Sequence, residues 1–159
     1  LIREGHRRII YLGVEPDSPP VRLRMQGYRR ALQAHGIPLD PALLVVERRP
    51  YAGAGARLQN LLAGKNRATA LFGVSRILTR QALRELGSKT RALRVLVYDG
   101  FDEEGAPPYL KTWLELQQPL KEIGRRAITC LYQLIAQPVR RPTQTMLRGK
   151  VVERGNAGQ

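Results

Sequence analysis

Short apolar runs and longer amphipathic stretches alternate along most of the chain. RIIYLGV (8–14) is a near-continuous apolar run with glycine next to its end, the pattern of a strand buried in a sheet. A helix is predicted next, opened by Ser18-Pro19-Pro20 and closed at Gly36. A hydroxyl can cap the free N–H groups of a first turn, proline suits that turn, and glycine suits the left-handed residue that ends a helix. ALLVVE (42–47) predicts a second strand, and 55–62 a short helix with Leu58, Leu61 and Leu62 on one side. ATALFGV (68–74) predicts a third strand, 77–86 a third helix and LRVLVYD (93–99) a fourth strand. After the acidic, proline-containing FDEEGAPPY, LKTWLEL (110–116) predicts a strand. Residues 119–136 predict a helix whose apolar stripe is Ile123, Ala127, Cys130, Leu131 and Leu134. QPVRRPTQ breaks it, and TMLRGKVVERG (145–155) predicts a final strand or extended tail.

Strands and helices alternating at this spacing imply right-handed crossovers and an α/β fold, a parallel sheet flanked by helices. Ligands of such sheets bind beyond the carboxyl ends of the strands. The positions just after Gly13, Val46, Val74 and Tyr98 are therefore the site candidates.

The first helix carries one position that breaks its own pattern. At about 100° per residue, Val21, Met25, Tyr28 and Leu32 share a face, while Arg22, Gln26, Arg29 and Gln33 lie opposite with Arg30 near them. Those arginines read as a solvated face. Arg24 instead projects within the apolar arc, near Tyr28 and Ala31. A charge placed there needs a partner or a cleft, so Arg24 is either a structural ion pair or a ligand-binding residue.

Composition changes this picture in two ways. The chain's 159 residues, 43% hydrophobic and 25% charged, make a globular domain with a real core and exclude disorder. The formal net charge of +14 and pI near 11.0 favour anionic partners. The arginine pairs at 7–8, 29–30, 48–49, 125–126 and 140–141 are dispersed, without interleaved aromatics or zinc-finger spacing, so charge alone implies only general attraction. A single cysteine, Cys130, excludes an internal disulfide framework and points to a reducing compartment. No apolar run approaches the roughly 20 residues that span a membrane. The opening LIREGHRR has neither a signal-peptide pattern nor an initiator methionine, and reads as a cut inside a longer protein.

Catalytic motifs are missing. The chain has no P-loop, no Gly-x-Ser-x-Gly elbow and no paired-histidine metal motif. Gly53-Ala54-Gly55 is followed by Leu58 where a dinucleotide fingerprint requires a small residue. His6 and His35 each sit beside a glycine at an element boundary and read as capping or packing residues. Cys130 reads as inert core on its helix face. No cofactor and no metal are expected.

GHRRIIYLGVEPDSPPVRLRMQGYRRALQAHGI (5–37) resembles the lactose-repressor/galactose-repressor family of bacterial transcription regulators. The shared pattern is Gly5 to Ile9, then Arg24, Gly27, Tyr28, Ala31, Leu32, Gly36 and Ile37. TALF (69–72), VLVYDG (95–100), the Gln-Pro-x-x-x-x-Gly-x-x-Ala block inside 114–135 and the closing VVERG (151–155) extend the resemblance over nearly the whole chain.

The resemblance implies a type I periplasmic-binding-protein-like effector domain, two α/β subdomains that close on a small ligand. Residues 1–109 would form the C-terminal subdomain, 110–141 a crossover strand and helix belonging to the N-terminal subdomain, and 142–159 a return strand and tail. The helix-turn-helix and the first half of the effector domain would lie upstream. The partners implied are a sugar or sugar-phosphate effector, operator DNA through that upstream domain, and a second copy in a homodimer. The implied setting is cytoplasmic, with no membrane and no catalysis.

Ligand-binding residues carried over position by position are Arg24, Tyr51, Ser75 and Asp99, with Asp99 chosen over Asp102 because it directly follows a strand. Arg24 would donate paired hydrogen bonds, Asp99 would accept from hydroxyls, Tyr51 would pack on the ligand and Ser75 would add a polar contact. The sequence departs from the family at Ser75-Arg76, where many members carry Asn-Asp or Ser-Asp, in the short turn over 87–94, and at Pro50-Tyr51. The extra cation at Arg76 favours a phosphorylated or carboxylated effector. The alternatives are a solute-binding protein of the same fold and a small α/β enzyme acting on sugar phosphates.

Overall fold

The structure, a computed structural model, describes residues 1–48, 53–101, 105–136 and 144–155. Six strands form one sheet in the order β2-β1-β3-β4-β5-β6: β1 is Ile9–Val14, β2 Leu44–Glu47, β3 Ala70–Gly73, β4 Arg94–Tyr98, β5 Thr112–Gln117 and β6 Lys150–Gly155. The helices are α1 (Pro19–Ala34), α2 (Ala54–Leu61), α3 (Arg76–Leu86) and α4 (Leu120–Ala136). Every element expected from the sequence is present, with ends displaced by a few residues. The first five strands are parallel. The edge strand β6 runs antiparallel to β5, a direction the sequence pattern leaves open.

Alternate side chains of β1 serve two cores. Ile10 and Leu12 face α2 and α3, where they join Val45, Leu58, Leu71, Leu78, Leu83, Val95 and Val97. Ile9 and Tyr11 face α1 and pack on Tyr28, Leu32, Ala70 and Val74. Each fully buried Leu or Val contributes about 1.5–3 kcal/mol relative to exposure, so this two-sided burial explains why β1 reads as an unbroken apolar run. Thr79 is fully buried on α3, and a Cβ built on Gly73 would lie 2.1 Å from its Oγ1. Only glycine there lets α3 lie this close to β3.

The ends of α1 follow the expected signals in part. Pro19 and Pro20 occupy the first turn, but Ser18 makes no side-chain cap hydrogen bond; its carbonyl accepts from Arg22 N–H at 3.1 Å instead. At the other end, Ile37 N–H donates to Leu32 O and Gly36 N–H to Gln33 O, with Gly36 at φ 63°, a glycine-dependent helix terminus. The same pair of bonds occurs at the first residues: His6 N–H to Leu1 O and Gly5 N–H to Ile2 O, with Gly5 at φ 91°. His35 Nδ1 lies 2.8 Å from Ala31 O and His6 Nδ1 2.9 Å from Thr69 Oγ1, the capping and packing roles expected of both.

α4 contradicts one expectation. None of its residues is buried, and Ile128, Leu131, Tyr132 and Ile135 are 57–72% exposed. Cys130 is half-buried and free, so it is not core. The periodicity marks a face that seeks apolar cover, and nothing among the described residues supplies it.

Candidate functional site

Three of the four expected site residues meet where the parallel strands end. Arg24 reaches across from the second turn of α1, Ser75 follows β3 and Asp99 follows β4; together with Tyr98, Val74 and Arg76 they line a cleft of about 300 Å³. Tyr51 and Asp102 lie outside the described residues. A second cleft, of about 450 Å³, shares Val14 and Val21 with the first and holds the Arg48–Glu15 ion pair. A larger groove of about 610 Å³ runs along the sheet face beside α1, lined by Tyr28, Leu32, Phe72, Leu96, Leu114 and Leu116 among others. Its walls are mainly apolar, whereas the cleft at the strand ends carries Arg24, Ser75, Arg76 and Asp99.

Arg24 is held by a carbonyl and a ring. One guanidinium nitrogen donates to Val74 O at 2.8 Å, and the guanidinium carbon sits 3.7 Å from the centroid of the Tyr98 ring. The cation in the apolar arc thus has no carboxylate partner among these contacts and lies over the end of β3, lining the cleft. Near it the Tyr11 hydroxyl is buried without a hydrogen-bond partner. Burial raises its pKa, and the nearby Arg24 charge opposes that rise.

Asp99 has φ 65° and is the non-glycine residue with positive φ among the described residues. Its carboxylate accepts both bonds of the Gln118 side-chain amide, at 2.9 and 2.8 Å, and its N–H donates to Leu116 O at 3.0 Å. A strained Asp at a strand end, fixed by a neighbouring strand, is the kind of conformation that concentrates at ligand sites. Ser75 caps α3, accepting from Leu78 N–H at 3.5 Å, and its hydroxyl proton remains able to donate. The first turn of α3 carries no acidic residue, so its N-terminus adds positive potential beside Arg24 and Arg76.

Sequence reasoning missed Tyr98 and Gln118. Tyr98 had a signal in strand alternation, which turns it to the α1 side once Val97 is placed in the opposite core. Gln118 stood in view within the Gln-Pro block. Among the described residues, no group of three or more His, Cys, Asp or Glu side chains could hold a metal ion, and no helix is long and apolar enough to cross a membrane.

Residues 1–156 match the periplasmic binding protein-like domain. The chain belongs to that family. It is 29% identical over 161 residues to the ribose operon repressor of Escherichia coli (strain K12), covering 99% of this chain and 48% of the relative. It is 31% identical over 138 residues to the transcriptional repressor CytR of the same organism, covering 82% and 39%. The solved complex of the transcriptional regulator CelR with cellobiose superposes with a TM-score of 0.76 at 28% identity, over 96% of this chain and 47% of that one. The expected resemblance to lactose-repressor/galactose-repressor regulators is thereby borne out, and these relatives are named as regulators, not enzymes. The chain spans about half the length of the curated relatives it matches.

Proposed function

We propose that this chain carries one wall of the effector site of a DNA-binding transcription regulator, and that the effector is a sugar or sugar phosphate. The observation that carries this reading is Arg24, whose guanidinium stands at the strand ends in one cleft with Ser75 and Asp99. Arg24 and Ser75 donate to ligand oxygens, Asp99 accepts from hydroxyls and Tyr51 packs on the ligand. Relatives named for ribose and a neighbour solved with cellobiose support a polyhydroxylated ligand.

In this reading residues 1–109 are the C-terminal subdomain, 110–141 cross to the N-terminal subdomain and 142–159 return. The uncovered apolar faces of α4 support that division, because they fit a helix whose packing partners lie in the other half. The N-terminal half and a helix-turn-helix lie upstream, the protein is a cytoplasmic homodimer, and it is not an enzyme. Effector binding shifts the equilibrium between subdomain arrangements by its differential affinity for them, and that shift changes operator affinity. Arg76 beside Arg24 supports a phosphorylated or carboxylated effector over a neutral one.

The test is a melting experiment on the full-length protein against a panel of sugars and sugar phosphates. A true effector raises the melting temperature increasingly with its concentration. Arg24→Ala should abolish that rise while leaving the unliganded protein folded; a mutant that responds as wild type does would make Arg24 structural. Calorimetry with matched neutral and phosphorylated sugars tests Arg76, and equal affinities would reduce it to surface charge.

A further inference from the structure

We propose that Tyr98 is the positioning residue of this site: its ring holds the Arg24 guanidinium with one edge turned to the cleft, so the site selects ligands presenting two adjacent oxygen acceptors. The proposal rests on the effector-site reading above and adds the residue that sets the geometry of its arginine.

An arginine side chain is long and flexible, and an unrestrained guanidinium acts as a diffuse charge. Its value for recognition lies in the planar fork, which gives two parallel hydrogen bonds only when its plane is fixed. Here two contacts constrain it. The Tyr98 ring, 3.7 Å from the guanidinium carbon, covers one side, and Val74 O takes a donor at 2.8 Å. Of five N–H donors, one is thus committed. The nearby Tyr11 hydroxyl is buried without a hydrogen-bond partner, so it takes no donor from Arg24. Arg24 lines the same cleft as Ser75 and Asp99, so a ligand seated there lies beside its remaining donors. Tyr98 closes β4 and Arg24 lies on α1, so the stack bridges the sheet end to the helix above it. Its neighbour Asp99 is separately fixed by Gln118, so donor edge and acceptor are each held before a ligand arrives.

The experiment uses the full-length protein in six forms: wild type, Tyr98→Phe, Tyr98→Leu, Arg24→Ala, Arg24→Lys, and Tyr98→Leu made on the Arg24→Lys background. The first readout needs no ligand. The Arg24 Nε–H proton, assigned by its loss in Arg24→Ala, should resonate upfield from aromatic ring current in wild type and Tyr98→Phe, and at an ordinary position in Tyr98→Leu. The second readout is calorimetry with D-ribose, D-ribose 5-phosphate and cellobiose. For whichever probes bind, Tyr98→Phe should stay within about twofold of wild type and Tyr98→Leu should lose about tenfold. On the Arg24→Lys background, which keeps a cation but lacks the planar fork, Tyr98→Leu should cost less than about twofold further.

A tyrosine that only supports the fold would weaken binding equally on both backgrounds, and that result overturns the proposal. Wild-type affinity in Tyr98→Leu overturns it as well. Failure of wild type to bind any probe overturns the effector reading and the selectivity with it. An unshifted Arg24 resonance in wild type overturns the part of Tyr98 alone.

Discussion

The side-chain amide of Gln118 donates to both carboxylate oxygens of Asp99, tying the end of β4 to the residue that follows β5. Asp99 sits at φ 65°, where glycine is at ease and other L-residues are strained. Asp99→Gly therefore separates function from stability. The substitution should leave unfolding free energy within about 1 kcal/mol of wild type, since the backbone strain it relieves offsets the lost bonds. Stabilisation by an effector should disappear. Denaturant unfolding with and without ligand checks both; retained stabilisation would remove Asp99 from the site.

A second prediction concerns alkaline pH. Tyr28 is buried, its hydroxyl donates to Ile9 O at 2.8 Å, and burial pushes its pKa up to about 12. The folded state thus favours the neutral phenol more than the unfolded chain does. Its contribution is complete below the ordinary tyrosine pKa of 10.0 and is lost as pH rises towards 12. Tyr28→Phe should cost about 1 kcal/mol at neutral pH. Melting temperatures of the two proteins should then converge above pH 10, and a constant gap up to pH 11.5 would refute the assignment.

Much of this fold was legible because burial writes itself into residue order. β1, buried on both faces, had to be apolar throughout, and Gly36 had to stand where α1 turns left-handed. Strand direction has no such imprint, and β6 was accordingly not distinguished from its parallel neighbours. The stripe on α4 is apolar as its periodicity predicts, but Cys130 within it is half-buried and not core, since periodicity names a face that seeks cover and not what covers it. At the site, Arg24 announced itself as a charge in an apolar arc. Tyr98 and Gln118 did not, because each matters only through a partner from another element.

The exposed face of α4 gives a prediction with two opposite outcomes. In this chain Ile128 and Ile135 are 59% and 69% exposed, so Ile128→Lys with Ile135→Lys removes apolar surface from water without opening a core. Solubility of the isolated chain should rise, and its melting temperature should hold. In the full-length protein the same pair should destabilise by at least about 2 kcal/mol, as charges placed in a packed interface do. Equal tolerance in both would place α4 at a surface and overturn the subdomain division proposed above.

The last prediction concerns DNA. The chain carries a formal net charge of +14, and Arg22, Arg29 and Arg30 are exposed together on α1. Contacts from such a face go to phosphates, which position a protein without reading sequence. Each neutralised phosphate releases condensed counterions, so affinity falls steeply with salt. In gel-shift titrations of this chain, the promoter region of its own gene and a scrambled duplex should compete equally at low salt, and both complexes should dissociate near physiological salt. The full-length protein should prefer the promoter duplex under conditions where this chain does not. A sequence preference shown by the chain alone at physiological salt would assign base reading to these arginines and contradict an upstream reading head.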